Sequence, residues 1–309
     1  LGAFLRLMNK QKLLLLPALR GVIAVLVLVT GLYSQSGIFQ SDWQLVVKGL
    51  VFPEGPTWAG DKLFLSNCYS DWIAIWQDGQ LDTLRLRGEM ATKILTNGLA
   101  FWQKYLYACD FGLRQVICIQ ENGQWYSLTA GIELQRPNDL AFDTQGNLYF
   151  TDSGNYRREN PDGALWCIQA QDGKVVKIID GLAFPNGITF SPDGKFLYLA
   201  ESARQLVLRL GIAKNGQLEA SEIFAELPGG DPDGLVCDED GNLYVAHFGN
   251  GCVWVFASDG QLLAQIKTPG EKPSNLEFGG KDRHTLYLTE TETNSLYQIR
   301  TIKRGIQNE

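Results

Sequence analysis

The chain has 309 residues, 45 % hydrophobic and 20 % charged, with 33 glycines and a formal net charge of −7. Its length admits one or two domains. The acidic balance, with no basic cluster in the repeat region, excludes a role on nucleic acid.

Residues 13–33 are apolar apart from Arg20, and Lys10, Lys12 and Arg20 precede the densest stretch, 21–33. At 13 residues that stretch has the size of a signal-peptide core and is short for a membrane span. Ser34 and Ser36 supply small residues for a cleavage site. Residues 1–37 are therefore set apart from the fold as a cleaved signal or an N-terminal anchor. Both readings predict an exported protein, periplasmic or extracellular, with membrane association confined to this segment. The apolar run 43–47 then stands alone as a spare strand.

From Glu54 onward one pattern recurs six times: an Asn, Asp or Glu, a short apolar run, then a second run reading roughly Leu-Tyr-apolar-small-polar. The copies are EGPTWAGDKLFLSN from Glu54, NGLAFWQKYLYACD from Asn97, NDLAFDTQGNLYFTD from Asn138, NGITFSPDGKFLYLAE from Asn186, DGLVCDEDGNLYVAH from Asp233 and NLEFGGKDRHTLYLTE from Asn275. Their spacings are 43, 41, 48, 47 and 42 residues. A strand repeat of this length is a propeller blade. In the fourth copy, strands are expected at 187–191, 196–200, 205–212 and 217–224. Asn-Gly or Asp-Gly turns join the last two strands at Asp78-Gly79, Asn122-Gly123, Asp172-Gly173, Asn215-Gly216 and Asp259-Gly260.

The sixth copy ends after a third strand near 295–299, and the spare strand at 43–47 is expected to complete it and close the ring. None of the eight Trp residues precedes an Asp, which argues against a Trp-Asp-signature propeller, and no helical pattern separates the strands. The expected fold is an all-β six-bladed β-propeller over residues 38–303, with a short tail at 304–309.

Innermost strands line the axial channel, so the six opening residues should crowd one mouth of it. Glu54, Asn97, Asn138, Asn186, Asp233 and Asn275 offer two carboxylates and four amides, with no His or thiolate. Oxygen donors carrying two negative charges suit a hard divalent cation, calcium first, with magnesium or manganese as alternatives. Asn-Gly and Asp-Gly before a strand are also ordinary turn residues; six at matched positions, two of them acids, favour the cation. No Cys-x-x-Cys occurs, and the six Cys lie in or at the ends of strand patterns, where they read as small buried residues. His247 and His284 read as structural or solvent-exposed.

At these residues the chain resembles the senescence-marker-protein/gluconolactonase family, which includes regucalcin and sugar lactonases. The motifs are EGPTW, RPNDL, FPNGITFSPDGKFLY, PDGL followed by GNLYVAHFGNG, and SNLEFGG. The resemblance implies a six-bladed propeller with one catalytic divalent metal, zinc included among its alternatives. By motif it implies Glu54, Asn186 and Asp233 as metal ligands, Asn138 beside the metal, Arg136 against substrate and Asp233 as base or nucleophile. The implied substrate is a small lactone or ester, with organophosphates as side substrates. This chain reads TDSGNYRREN at 151–160, where many gluconolactonases carry a Pro-rich loop, so the pocket should differ there. Two other classes fit the architecture: a non-catalytic calcium-containing propeller that binds a ligand or partner, and a strictosidine-synthase-like propeller that works through a Glu.

Overall fold

The computed structural model describes residues 37–87, 94–213 and 216–306. The expected signal or anchor segment lies outside the described residues, apart from Gly37. Among the described residues no helix is long and apolar enough to cross a membrane.

The described strands form six antiparallel sheets of four strands each. The innermost strands are Pro53–Ala59, Thr96–Trp102, Pro137–Phe142, Pro185–Phe190, Asp231–Cys237 and Pro273–Gly279. Each contacts the next, and the last contacts the first, so they surround one axis as a six-bladed propeller. The fourth blade is Pro185–Phe190, Phe196–Glu201, Leu206–Ile212 and Leu218–Glu226, within two residues of the expected boundaries. At the Asp78-Gly79 turn both residues have positive φ, 47° and 83°, as a tight hairpin requires. Lys214 and Asn215 of the fourth-blade turn lie outside the described residues.

Closure follows the expected route. Gln44–Lys48 pairs antiparallel with Ser295–Arg300, matching Gln44 to Gln298 and Lys48 to Ser295. The ring thereby joins its two ends, and Gln44–Lys48 becomes the outer strand of a complete four-stranded last blade. Residues 304–306, expected as a tail, fold back: Gly305 bridges Asp238, and Ile306 lines a small cavity in the channel.

Alternating side chains bury the space between neighbouring blades rather than the axis. One cluster joins Tyr149, Leu165 and Cys167 of the third blade to Ile188, Leu197, Leu199 and Leu210 of the fourth. Another sets Val47 of the closing strand, with Tyr287 and Leu296, against Leu63, Leu65 and Ala74 of the first blade. All six Cys are free thiols and buried, as the strand patterns suggest.

Val47→Asp would place a charge in that closing cluster and is expected to lower Tm by about 8 °C, from about 3 kcal/mol of lost stability. Leu45→Asp, at a position 46 % exposed on the same strand, should change Tm little. Paired thermal melts check this, and equal shifts would mean that closure does not depend on the buried face.

Candidate metal centre and active site

Every innermost strand begins with a β-bulge. In the third blade Pro137 pairs with Asp152 and Leu140 with Phe150, so the inner strand spends three residues where its partner spends two. The same offset recurs at Thr96/Leu99, Pro185/Ile188 and Pro232/Leu235. A bulge re-aims the side chains it carries. Here it accompanies the entry of the opening polar residue of the first five repeats into the channel mouth.

The Gly that follows most opening residues belongs to this packing and not to a hairpin turn. A Cβ at Gly187 would lie 2.1 Å from the Asp233 carbonyl oxygen, and one at Gly55 would lie 2.3 Å from that of Asn97. Only Gly lets neighbouring inner strands approach so closely.

Five of the six predicted ring residues, Glu54, Asn97, Asn138, Asn186 and Asp233, line a single cavity of about 530 Å³, and Arg136 lines it with them. The sixth is corrected by the strand register. Pro273 pairs with Glu290, so the symmetry mate of Glu54 and Asn186 is Ser274, whose hydroxyl donates to the Pro53 carbonyl at 2.9 Å. Asn275 sits one residue deeper, at the level of Asp139, and hydrogen-bonds Glu54 and Asp139.

Glu54, Asn186 and Asp233 are 6–9 % exposed. Among the described residues no ion pair engages either acid. Burial, then the nearby Asp139 charge, pushes the Glu54 carboxyl up to about 8 against the pull of the Gly55 N–H. Burial, then the charge of Glu54 and of Asp139, pushes Asp233 well up, against a hydrogen bond with Asn186. Two buried carboxylates without a counter-ion, joined by amide oxygens, form a donor set that fits a hard divalent cation. Among the described residues no three His, Cys, Asp or Glu side chains gather for a metal, so amides must complete the set.

Asp139 was not among the sequence candidates. It is buried below Asn138, accepts from the N–H of Leu140 at 3.0 Å and of Ile188 at 3.3 Å, and its carboxyl is pushed up to about 7 by burial. The signal was present: NDL places an Asp where four other copies have Gly.

The last residues of the second strands form an outer support. Asn67, Asp110, Asp152, Glu201 and Glu290 accept from the N–H groups of Val51, Leu95, Gln135, Ala183 and Lys272, at 2.6–3.1 Å. These bonds pin the chain entering each inner strand. In the fifth blade His247 holds this position, fully buried, with Nε2 3.1 Å from the Leu227 carbonyl. Neither His lines the cavity; His284 rests against the Thr301 carbonyl.

Aromatic rings wall the cavity: Phe52, Tyr69, Phe111, Tyr156, Phe184 and Phe248. Phe52 and Phe184 hold φ of 50° and 56°, strained for bulky residues and placed two residues before Glu54 and Asn186. The 153–161 loop delivers Tyr156 across the mouth, where its hydroxyl donates to Asp231, 2.9 Å from Oδ1, and its ring packs on Phe184. Arg157 and Asn155 both engage Asp162, which folds the loop onto itself.

Residues 52–292 match the SMP-30/Gluconolactonase/LRE-like region. The chain belongs to this family. It is 30 % identical to diisopropyl-fluorophosphatase of Loligo vulgaris over 220 residues, which cover 65 % of this chain and 69 % of that protein. It is 29 % identical to 6-deoxy-6-sulfogluconolactonase of Pseudomonas putida over 225 residues, 71 % of this chain and 74 % of the other. Among solved structures, the gluconolactonase XC5397 of Xanthomonas campestris superposes with a TM-score of 0.73 at 27 % identity, covering 87 % of this chain and 96 % of that one. This family member thus has hydrolases, lactonases among them, as relatives, on a propeller whose mouth holds the oxygen cluster described above.

Proposed function

We propose that this protein is a divalent-cation-dependent lactonase. The observation that carries the reading is the pair of buried, uncompensated carboxylates, Glu54 and Asp233, beside Asn186 at the floor of a substrate-sized cavity. Relatives that open sugar-type lactones support it.

Glu54, Asn186 and Asp233 would hold the cation, calcium first among hard ions, with Asn138 beside it. A bound divalent cation supplies positive charge that polarises the lactone carbonyl and stabilises the oxyanion. Asp233 takes the proton of the attacking water as the new C–O bond forms. The ring C–O bond breaks, its oxygen takes the proton back from Asp233, and a hydroxy acid leaves. Asn138 and Arg136 orient the ring and its substituents from the wall, and the aromatic side chains exclude bulk water.

Tyr156 positions substrate against the same wall. Tyr156→Phe removes its bond to Asp231 and is expected to raise KM about fivefold, about 1 kcal/mol, with kcat little changed. Steady-state kinetics read this, and an unchanged KM would remove Tyr156 from the binding surface.

A panel of aldonolactones and diisopropyl fluorophosphate, assayed with Ca²⁺, Mg²⁺, Mn²⁺, Zn²⁺ or EDTA, tests the function. Metal-supported lactone turnover that EDTA abolishes is expected. Tight calcium binding without turnover of any lactone would return the protein to a non-catalytic calcium-containing propeller.

A further inference from the structure

The charge lining the cavity is arranged by depth. Glu54 and Asp233 lie buried at the floor, while the cations lining the cavity, Arg114 and Arg136, are exposed at the rim. Among the described residues neither guanidinium has a carboxylate partner. Elsewhere Arg85, Arg157, Arg204, Arg209, Arg300 and Arg304 pair with a carboxylate, whereas Arg87, Arg158 and Arg283 do not and none of these three lines the cavity.

The rim arginines do not serve the floor either. Burial and the Asp139 charge raise the Glu54 carboxyl, and burial with the charges of Glu54, Asp139 and Asp231 raises that of Asp233. Asp231, the other acid on the wall, is engaged by Tyr156. Arg114 is held at φ 57°, a left-handed conformation that costs an ordinary residue free energy, so its direction is set by the turn that carries it. Arg136 is anchored through its own N–H on Asp152. Two guanidiniums without carboxylate partners, carried on anchored backbone and lining one cavity, are suited to recognise anions.

We propose that Arg114 and Arg136 form an anion subsite, so that the lactone opened at the floor carries an anionic substituent, such as a phosphate, sulfonate or carboxylate, on the end remote from the reacting carbonyl. The rim arginines hold that substituent at the mouth of the cavity, which orients the ring with its carbonyl toward the floor. This substrate class rests on the lactonase reading.

The test compares glucono-1,5-lactone with 6-phosphoglucono-1,5-lactone on the calcium-loaded protein, for wild type and Arg114→Gln. The wild type is expected to favour the phosphorylated lactone about tenfold in kcat/KM at low ionic strength, and the ratio should approach one at about 0.5 M salt and in the variant. Glucaro-1,4-lactone against glucono-1,4-lactone distinguishes a carboxylate-specific site from a phosphate-specific one. Calorimetry with 6-phosphogluconate and gluconate reads the subsite without turnover, and about tenfold tighter binding of the phosphorylated acid is expected. No lactone turnover with that binding preference intact would sink the lactonase reading and leave the subsite standing. Equal turnover of both lactones with equal binding of both acids would overturn the subsite alone.

Discussion

Asp233→Asn is expected to lower kcat for lactone hydrolysis by about 10³-fold, the scale of a lost general base. Calcium affinity should fall only about tenfold, because the amide keeps an oxygen for the ion while losing one charge. The metal-free variant should melt higher than the wild type. Its carboxyl is buried beside Glu54 and Asp139 and is costly without a cation, and the neutral amide removes that repulsion. Kinetics, calcium titration and metal-free melting separate a catalytic role from simple loss of metal. Unchanged turnover would eliminate Asp233 as base or nucleophile.

Metal removal should produce the second large effect, one that grows with pH. In the metal-free protein the Glu54 carboxyl titrates near 8, against 4.5 for an ordinary Glu, and Asp233 is shifted in the same direction. Below about pH 4.5 the carboxyl is protonated in folded and unfolded chains alike, and its stability contribution is fully present. Between about 4.5 and 8 the unfolded chain loses the proton while the folded chain keeps it, so stability falls as pH rises. Above about 8 both are ionised and the penalty is complete. Calcium reverses that penalty. Saturating Ca²⁺ is expected to raise Tm by about 8 °C at pH 8, about 3 kcal/mol of binding linkage, and much less at pH 5. Glu54→Gln should weaken the pH dependence, leaving the part carried by Asp139, Asp233 and Glu277, and should lower the calcium effect. Calcium shifts that are equal at both pH values would contradict the uncompensated carboxyl pair.

The blade count, the closing strand and most of the ring were legible because a propeller repeats one local pattern. Strand alternation, Asn-Gly and Asp-Gly turns and the spacing of the repeats all pointed to one architecture. The ring failed at Asn275 for a physical reason. Both Ser274 and Asn275 are polar and precede the same apolar run, so only the pairing of Pro273 with Glu290 fixes which residue enters the ring. Asp139 was missed because it occupies a packing position that Gly usually fills. The supporting set from Asn67 to Glu290 was visible as a polar strand end, but its bonds to the preceding loop depend on tertiary approach. Tyr156 and Asp231 are 75 residues apart, and no local signal couples them. Arg114 sits in a turn whose aim is set by a single left-handed residue. Local periodicity therefore reveals the scaffold and the floor, whereas the wall and rim depend on long-range contacts.

Diffraction from crystals grown with Mn²⁺, collected for its anomalous signal, goes straight to the cation. The account predicts one strong peak at the channel mouth, in contact with the Glu54 and Asp233 carboxylates and the Asn186 amide oxygen. A fully occupied ion bound away from those three side chains, or an empty mouth in crystals of metal-activated protein, would contradict it.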